Sequence, residues 1–304
     1  MTANDRSPIL YFPVKATPLQ MEAGFYPLGR DLGGGTRDQF TFLKDRELEC
    51  YQQNKLQVES QRHWVTWEWK EESLTALHQQ AIEVLVEQQK VALGLAPPPS
   101  YSTWKKQVLQ ENPNDILNEE LQTLGNQVYL ELTQRVQEDI TVLSAGENSA
   151  LVMGHICTPS FWNPQHVKNA SFWSIHQPVP GFPRDERVAQ RLVDHIVQRG
   201  PFVRFVWTLA SDNRLDHHPK HGRLSWSEAE LVWYRVERQT TIPLPQHGAI
   251  FLIRTYIHPL DRLSEIQRKI LRQAIEVMPN DIATYKGLNG LKDQKELLDQ
   301  IWVE

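Results

Sequence analysis

His176 is the side chain whose surroundings best suit metal chemistry. It closes a helical pattern and precedes Gln177-Pro178-Val179-Pro180-Gly181. Each proline restricts the residue before it to extended backbone, so the histidine stands beside a stiff segment. A fixed, neutral imidazole is a good metal ligand. The alternative is a ring that bonds the turn itself. A second cluster is Trp233-Tyr234-Arg235-Val236-Glu237-Arg238-Gln239-Thr240. Strand alternation sets Arg235, Glu237 and Gln239 on one face and Tyr234, Val236 and Arg238 on the other. The polar triplet is either an exposed face or a buried one that needs partners. A third is the apolar run Phe251 to Leu260, interrupted by Arg254. A charge there calls for an anion, either the Glu237 carboxylate or a ligand carboxylate.

Other reactive residue types carry less. His217-His218-Pro219-Lys220-His221 has only Asp216 beside it and is expected to be a solvated loop. His155 and Cys157 share a strand face, a thiol–imidazole spacing, but a buried structural thiol is the expectation. Asp31-Leu32-Gly33-Gly34-Gly35 lacks nucleotide-loop spacing and reads as a tight turn or backbone close to a ligand. No HExxH, GxSxG or CxxCH occurs. That disfavours a zinc protease and a typical α/β-hydrolase and removes the signature of covalent haem attachment.

Composition sets the bounds. The chain has 304 residues, 40% hydrophobic and 23% charged, and so reads as globular. Two cysteines, Cys50 and Cys157, make neither a disulfide framework nor a four-cysteine zinc site. A formal charge of −5 argues against general nucleic-acid affinity. No apolar run approaches the roughly 20 residues of a membrane span, and the first residues show no signal-peptide core. A cytoplasmic protein is expected. Six of ten tryptophans fall after residue 160, among the clusters above.

The elements that must position these residues follow from periodicity. Prolines 8, 13, 18 and 27 give an irregular entry. Residues 38–59 read as polar with scattered aromatics, and 64–69 alternate like a short strand. Ser73 is expected to cap a helix running to about Val91, ended by Gly94 and followed by the stiff Pro97-Pro98-Pro99. Trp104–Leu109 is a short helix, and Asn114 and Asp115 open another reaching about residue 138. Ile140–Leu143 and Ala150–Cys157 are strands joined through Gly146-Glu147-Asn148. Helices are expected at about 164–174 and 184–199. Strands follow at Phe202–Leu209, Leu231–Thr241 and Gly248–Ile257. Ser264 opens a helix through Val277, and a last helix covers about Leu291–Trp302. The pattern is α+β, a mainly antiparallel sheet with helices grouped to one side. It predicts a single domain: a helical layer over about 1–139, a sheet core over about 140–290 and a terminal helix over 291–304.

The clusters together carry a family resemblance. His176-Gln-Pro-Val-Pro-Gly181, Arg235-Val-Glu237-Arg238-Gln239-Thr240, Ile253-Arg254-Thr255-Tyr256-x-x-Pro259-Leu260 and Ala283-x-Tyr285-Lys286-Gly287-Leu288 occur in order. With Leu28-Gly29-Arg30-Asp31-Leu32-Gly33-Gly34-Gly35, they resemble the haem-dependent oxidative N-demethylase α-subunit-like family over roughly residues 10–290. The resemblance implies a PAS-like fold, non-covalent haem b and oxidation of a small secondary amine such as dimethylamine with O2. An N-methyl group would be oxidised to a carbinolamine that collapses to amine and formaldehyde. It implies His176 as the axial metal ligand, Arg238 and Arg254 as partners of the haem propionates, Glu237 as a group that holds the amine or relays protons, and Tyr256 and Trp207 as pocket lining. Two cysteines and no nucleotide fingerprint mean that electrons would come from external reductase subunits carrying flavin or iron–sulfur centres. Two other readings stand beside this one: a haem or small-ligand sensor without turnover, and a non-haem scaffold of the same fold.

Overall fold

The computed structural model describes residues 9–16, 24–45, 47–62, 66–67, 75–110, 119–146 and 149–301. In chain order, β1 (Tyr26–Pro27) is followed by α1 (Leu48–Gln61) and β2 (Thr66–Trp67). Then come the helices α2 (Thr75–Leu93), α3 (Tyr101–Gln110) and α4 (Glu119–Gln134). β3 (Asp139–Ser144) and β4 (Leu151–His155) lead to α5 (Pro164–Val167), α6 (Phe172–His176) and α7 (Glu186–Arg199). β5 (Phe202–Ala210), β6 (Trp233–Leu244) and β7 (Gly248–Pro259) precede α8 (Glu265–Glu276), α9 (Asn280–Lys286) and α10 (Lys295–Ile301). No helix among the described residues is long and apolar enough to cross a membrane.

The α+β expectation holds. The described strands form one antiparallel sheet in the order β1-β5-β6-β7-β3-β4-β2. Its two edges come from the first 70 residues, so the N-terminal part is stitched into the sheet as well as layered on it. The centre is the long β6–β7 hairpin, in register from Trp233↔Pro259 to Leu244↔Gly248.

Cross-strand partners share a face, which sorts every side chain. On one face lie Tyr234, Val236, Arg238, Thr240 and Ile242 of β6, opposite His258, Tyr256, Arg254, Leu252 and Ile250 of β7. This face is buried by two apolar cores. α8, α9 and α10 pack Leu271, Ile275 and Ile282 against Trp207, Tyr234, Val236 and Tyr256 at one end. α2, α3 and α4 pack Ile82, Trp104 and Leu132 against Ile140, Ile242 and Leu252 at the other. Arg238 and Arg254 face each other between the two cores.

The helices are not grouped to one side. α7 lies on the opposite face, where His195 stacks on Phe202 with ring centroids 5.0 Å apart. Asp185 caps α7 by accepting from the Arg187 N–H at 3.0 Å. Its buried residues Ala189, Val193 and Ile196 recur at helical spacing and turn toward the sheet. The predicted single helix over 164–174 is two short ones. Asn169 takes a left-handed φ of 60°, and Ala150 bridges to Ser171, which breaks the helix between them.

α1 falls where an irregular polar stretch was expected. Its inward face is Tyr51, Lys55 and Val58, at i, i+4 and i+7. A lysine in the middle of that stripe hides the helical period. Lys55 is nonetheless satisfied: its Nζ donates to the carbonyls of Thr133, at 2.8 Å, and Glu138, at 2.5 Å. The helix opened by Ser264 is as predicted, with a full capping box between Ser264 and Gln267, a motif that contributes about 1 kcal/mol. Ser73, Asn114, Asp115, Glu147, Asn148 and Trp302 lie outside the described residues.

Candidate functional site

α6 is a five-residue helix, and its conformation is set locally. Ser171 caps it by accepting from the Ser174 N–H at 3.1 Å. His176 sits at its end. The His176 Nδ1 lies 2.7 Å from the carbonyl oxygen of Phe172, one turn back. A carbonyl only accepts, so Nδ1 carries the proton and the lone pair is left on Nε2. The ring is also held by aromatic contacts. Phe172 lies 4.2 Å away, and Phe182 stacks at 5.1 Å. Gly181, at a φ of 75° that favours glycine, turns the chain so that Phe182 returns to the imidazole. A ring nitrogen tied to a backbone carbonyl is the arrangement that orients a metal-ligating histidine.

Burial pushes the His176 pKa down to about 4; the Phe172 carbonyl opposes this and the Arg204 guanidinium adds to it. The ring is therefore neutral near pH 7. The unfolded chain protonates it near 6.5 and the folded chain near 4. Its contribution to stability is thus complete above about pH 6.5 and is lost as the pH falls toward 4. We expect His176→Gln to take up close to one proton fewer than the parent on unfolding at pH 5. The pH slope of the unfolding free energy measures this; an unchanged slope contradicts it. His78, also pushed to about 4 by burial, titrates in both proteins.

The sheet face toward α7 carries Arg204, Val206 and Thr208 of β5 opposite Gln239, Glu237 and Arg235 of β6. Arg235 is buried and donates to the carbonyls of Leu215, at 3.1 Å, and Thr158, at 2.7 Å. Its Nε lies 3.8 Å from Glu237 Oε1. Gln239 Nε2 donates to Glu237 Oε2 at 3.0 Å. Arg204, Val206, Thr208, Glu237 and Gln239 are all only partly covered, so the middle of this face is open while its surroundings are packed. Arg204 links it electrostatically to His176 on one side and to Glu237 on the other.

Lys286 is a member of this group that sequence reasoning did not select. The α9 helix ends in left-handed Gly287, φ 70°, and delivers the Lys286 Nζ to the carbonyl of Trp207 on the free edge of β5. Burial pushes its pKa down to about 8, opposed by Glu237 and reinforced by Arg204. The signal was its place in the Tyr285-Lys286-Gly287 motif.

The structure puts His176 within electrostatic reach of Arg204, whose side chain shares a sheet face with Glu237. It does not bring Arg238, Arg254, Trp207 or Tyr256 there. Arg238 is buried on the other face and donates to the carbonyls of Thr41, at 3.1 Å, and Phe40, at 2.7 Å. Arg254 is also buried there, paired with Asp45 at 3.0 Å and lying over the rings of Tyr51, at 3.9 Å, and Tyr256, at 4.8 Å. Its anion is thus Asp45, in place of the expected Glu237 or a ligand. The pair spans 209 residues of sequence, beyond the reach of any local pattern. Trp207 and Tyr256 belong to the apolar core around α8.

The histidine tract is a correction. His217 and His218 are buried, not solvated. His217 Nε2 bonds Asp212 at 2.8 Å; His218 accepts from the Lys220 N–H and bonds Asn163 at 3.1 Å. His217 Nε2 and both ring nitrogens of His218 are paired, while His217 Nδ1 is buried without a hydrogen-bond partner among the described residues; hydropathy does not register such pairing. Glu59, His155 and Cys157 lie together, with all their ligand atoms within 4.8 Å of one another. Cys157 Sγ sits 3.9 and 4.0 Å from the two ring nitrogens, so it lies on the axis of neither. Burial pushes the thiol pKa well up, opposite to an activated nucleophile.

The family model for haem-dependent oxidative N-demethylase, alpha subunit-like, matches residues 43–295. That span holds His176, Arg204, Glu237 and Lys286. No curated protein matches the chain.

Proposed function

The chain belongs to the haem-dependent oxidative N-demethylase, alpha subunit-like, family, and from that premise we propose that it is the haem-bearing oxygenase component of an oxidative N-demethylase. The observation that carries the reading is the imidazole of His176. Its Nδ1–H is spent on the Phe172 carbonyl, its ring packs against Phe172 and Phe182, and it is neutral with the lone pair on Nε2. Orphaned donors beside it also fit a bound group. Trp173 Nε1 and Gln177 Nε2 are buried without a hydrogen-bond partner among the described residues.

His176 would hold the iron of haem b through Nε2, on the open face of β5 and β6. Haem bound there supplies the redox centre for oxidising an N-methyl group with O2, giving formaldehyde and the shorter amine. The chain's own residues do the rest. Glu237 presents a carboxylate, set by Gln239 and Arg235, that orients an ammonium substrate and accepts its proton. Tyr256 and Trp207 pack behind the sheet and support the strands. The chain's two cysteines are too few for an iron–sulfur cluster, so an external reductase subunit with flavin or iron–sulfur centres would deliver the electrons.

The test is turnover. Haem-loaded protein with a reductase, O2 and dimethylamine should release formaldehyde. Glu237→Gln should lower the rate about a hundredfold at unchanged haem content, the scale of a lost acid–base group. No formaldehyde across a panel of N-methyl amines refutes the enzymatic reading.

A further inference from the structure

We propose that Arg204 is the propionate anchor of the haem site, a role that rests on the haem reading above. Arg204 lies on β5, close enough for its charge to act on the His176 imidazole. Its guanidinium leans over the ring of Phe25, 5.6 Å from the centroid, which holds its plane. Among the described residues nothing accepts a hydrogen bond from it, and its Nε is buried without a partner. Burial pushes its pKa down, with Glu237 opposing the shift.

Nearby groups do not meet that need. Glu237 is the nearest charge of opposite sign to act on it, but its carboxylate is engaged by Gln239 Nε2 and lies 3.8 Å from Arg235 Nε. Lys286 adds a further cation beside the same carboxylate. Arg204, Arg235 and Lys286 thus outnumber Glu237, so this group is left cationic. A planar guanidinium with five donors matches a carboxylate in a two-pronged bond. A carboxylate brought in by a ligand is what this face lacks, and the propionates of haem are such carboxylates. Arg238 and Arg254 carry no such deficit toward this face. They lie behind the sheet, bonded to the Thr41 and Phe40 carbonyls and to Asp45.

The probe is haem against haem dimethyl ester, in which both propionates are masked. Absorption titration of the parent protein should show haem bound about tenfold to a hundredfold more tightly than the ester, the scale of a charge-assisted pair. Arg204→Gln should lose that preference by weakening haem and leaving the ester unchanged. Arg204→Lys should keep part of it. Without haem, Arg204→Gln should melt close to the parent, because the side chain is only partly covered and gives up no hydrogen bond among the described residues. Equal affinity of the parent for both compounds overturns the proposal without any variant. So does a preference that survives Arg204→Gln. If His176→Ala loses haem while Arg204→Gln keeps the preference, this inference fails and the haem reading stands. If the parent binds neither compound, both fail.

Discussion

His176→Ala is expected to lose haem affinity by about a hundredfold or more while keeping its fold. Direct metal ligands matter more than their supporting partners, whose removal costs about 10- to 100-fold. The fold should survive because His176 belongs to neither apolar core and sits on a five-residue helix with its own serine cap. What the substitution removes is a neutral ring packed against Phe172 and Phe182. Far-ultraviolet circular dichroism should therefore match the parent, while the Soret band on haem addition is weak or absent. His176→Gly offers a second reading, because the hole it leaves admits free imidazole. Added imidazole should restore the band in that variant alone. A parent-like Soret titration in either variant without imidazole removes His176 from the site.

The largest effect on stability is expected from Asp45. Asp45→Asn leaves the Arg254 guanidinium buried and without the carboxylate bonded to it, with Glu138 as the remaining carboxylate that acts on it. Breaking a buried pair in this way costs about 3–5 kcal/mol. For a chain of 304 residues that lowers the melting temperature by roughly 5–8 °C. The pair lies between the two apolar cores and ties the segment before α1 to the centre of the sheet. The double variant Asp45→Asn with Arg254→Met should recover part of the loss: it removes the unpaired guanidinium, but it also takes from buried Glu138 the cation that acts most strongly on it. A single variant that melts within a degree or two of the parent would show that the pair does not hold this segment. Haem binding should be little affected in the double variant, since neither residue faces His176.

Much of the sheet was legible because its strands are β-branched runs between turn residues. β5, β6 and β7 begin and end within a few residues of expectation, and α8 was marked by its serine cap. α1 escaped notice because its buried stripe contains Lys55, whose partners are backbone carbonyls far along the chain. The same limit governed the site. The proline-stiffened segment after His176 singled it out, and alternation separated Glu237 from Arg238. Alternation assigns a residue to one of two faces, but it does not say which face α6 will cover. Only packing shows that His176 comes within electrostatic reach of Arg204, on the face of Glu237, and that Arg238 and Arg254 work behind the sheet. A lone arginine in a strand, such as Arg204, carries no sequence signal. Its interest lies in the partner it lacks.

The most direct test is an absorption titration of the purified parent protein with haem. A Soret band should grow to saturation at one haem per chain and be lost in His176→Ala. A titration that shows no saturable binding, or the same spectrum with and without His176, contradicts haem ligation by His176.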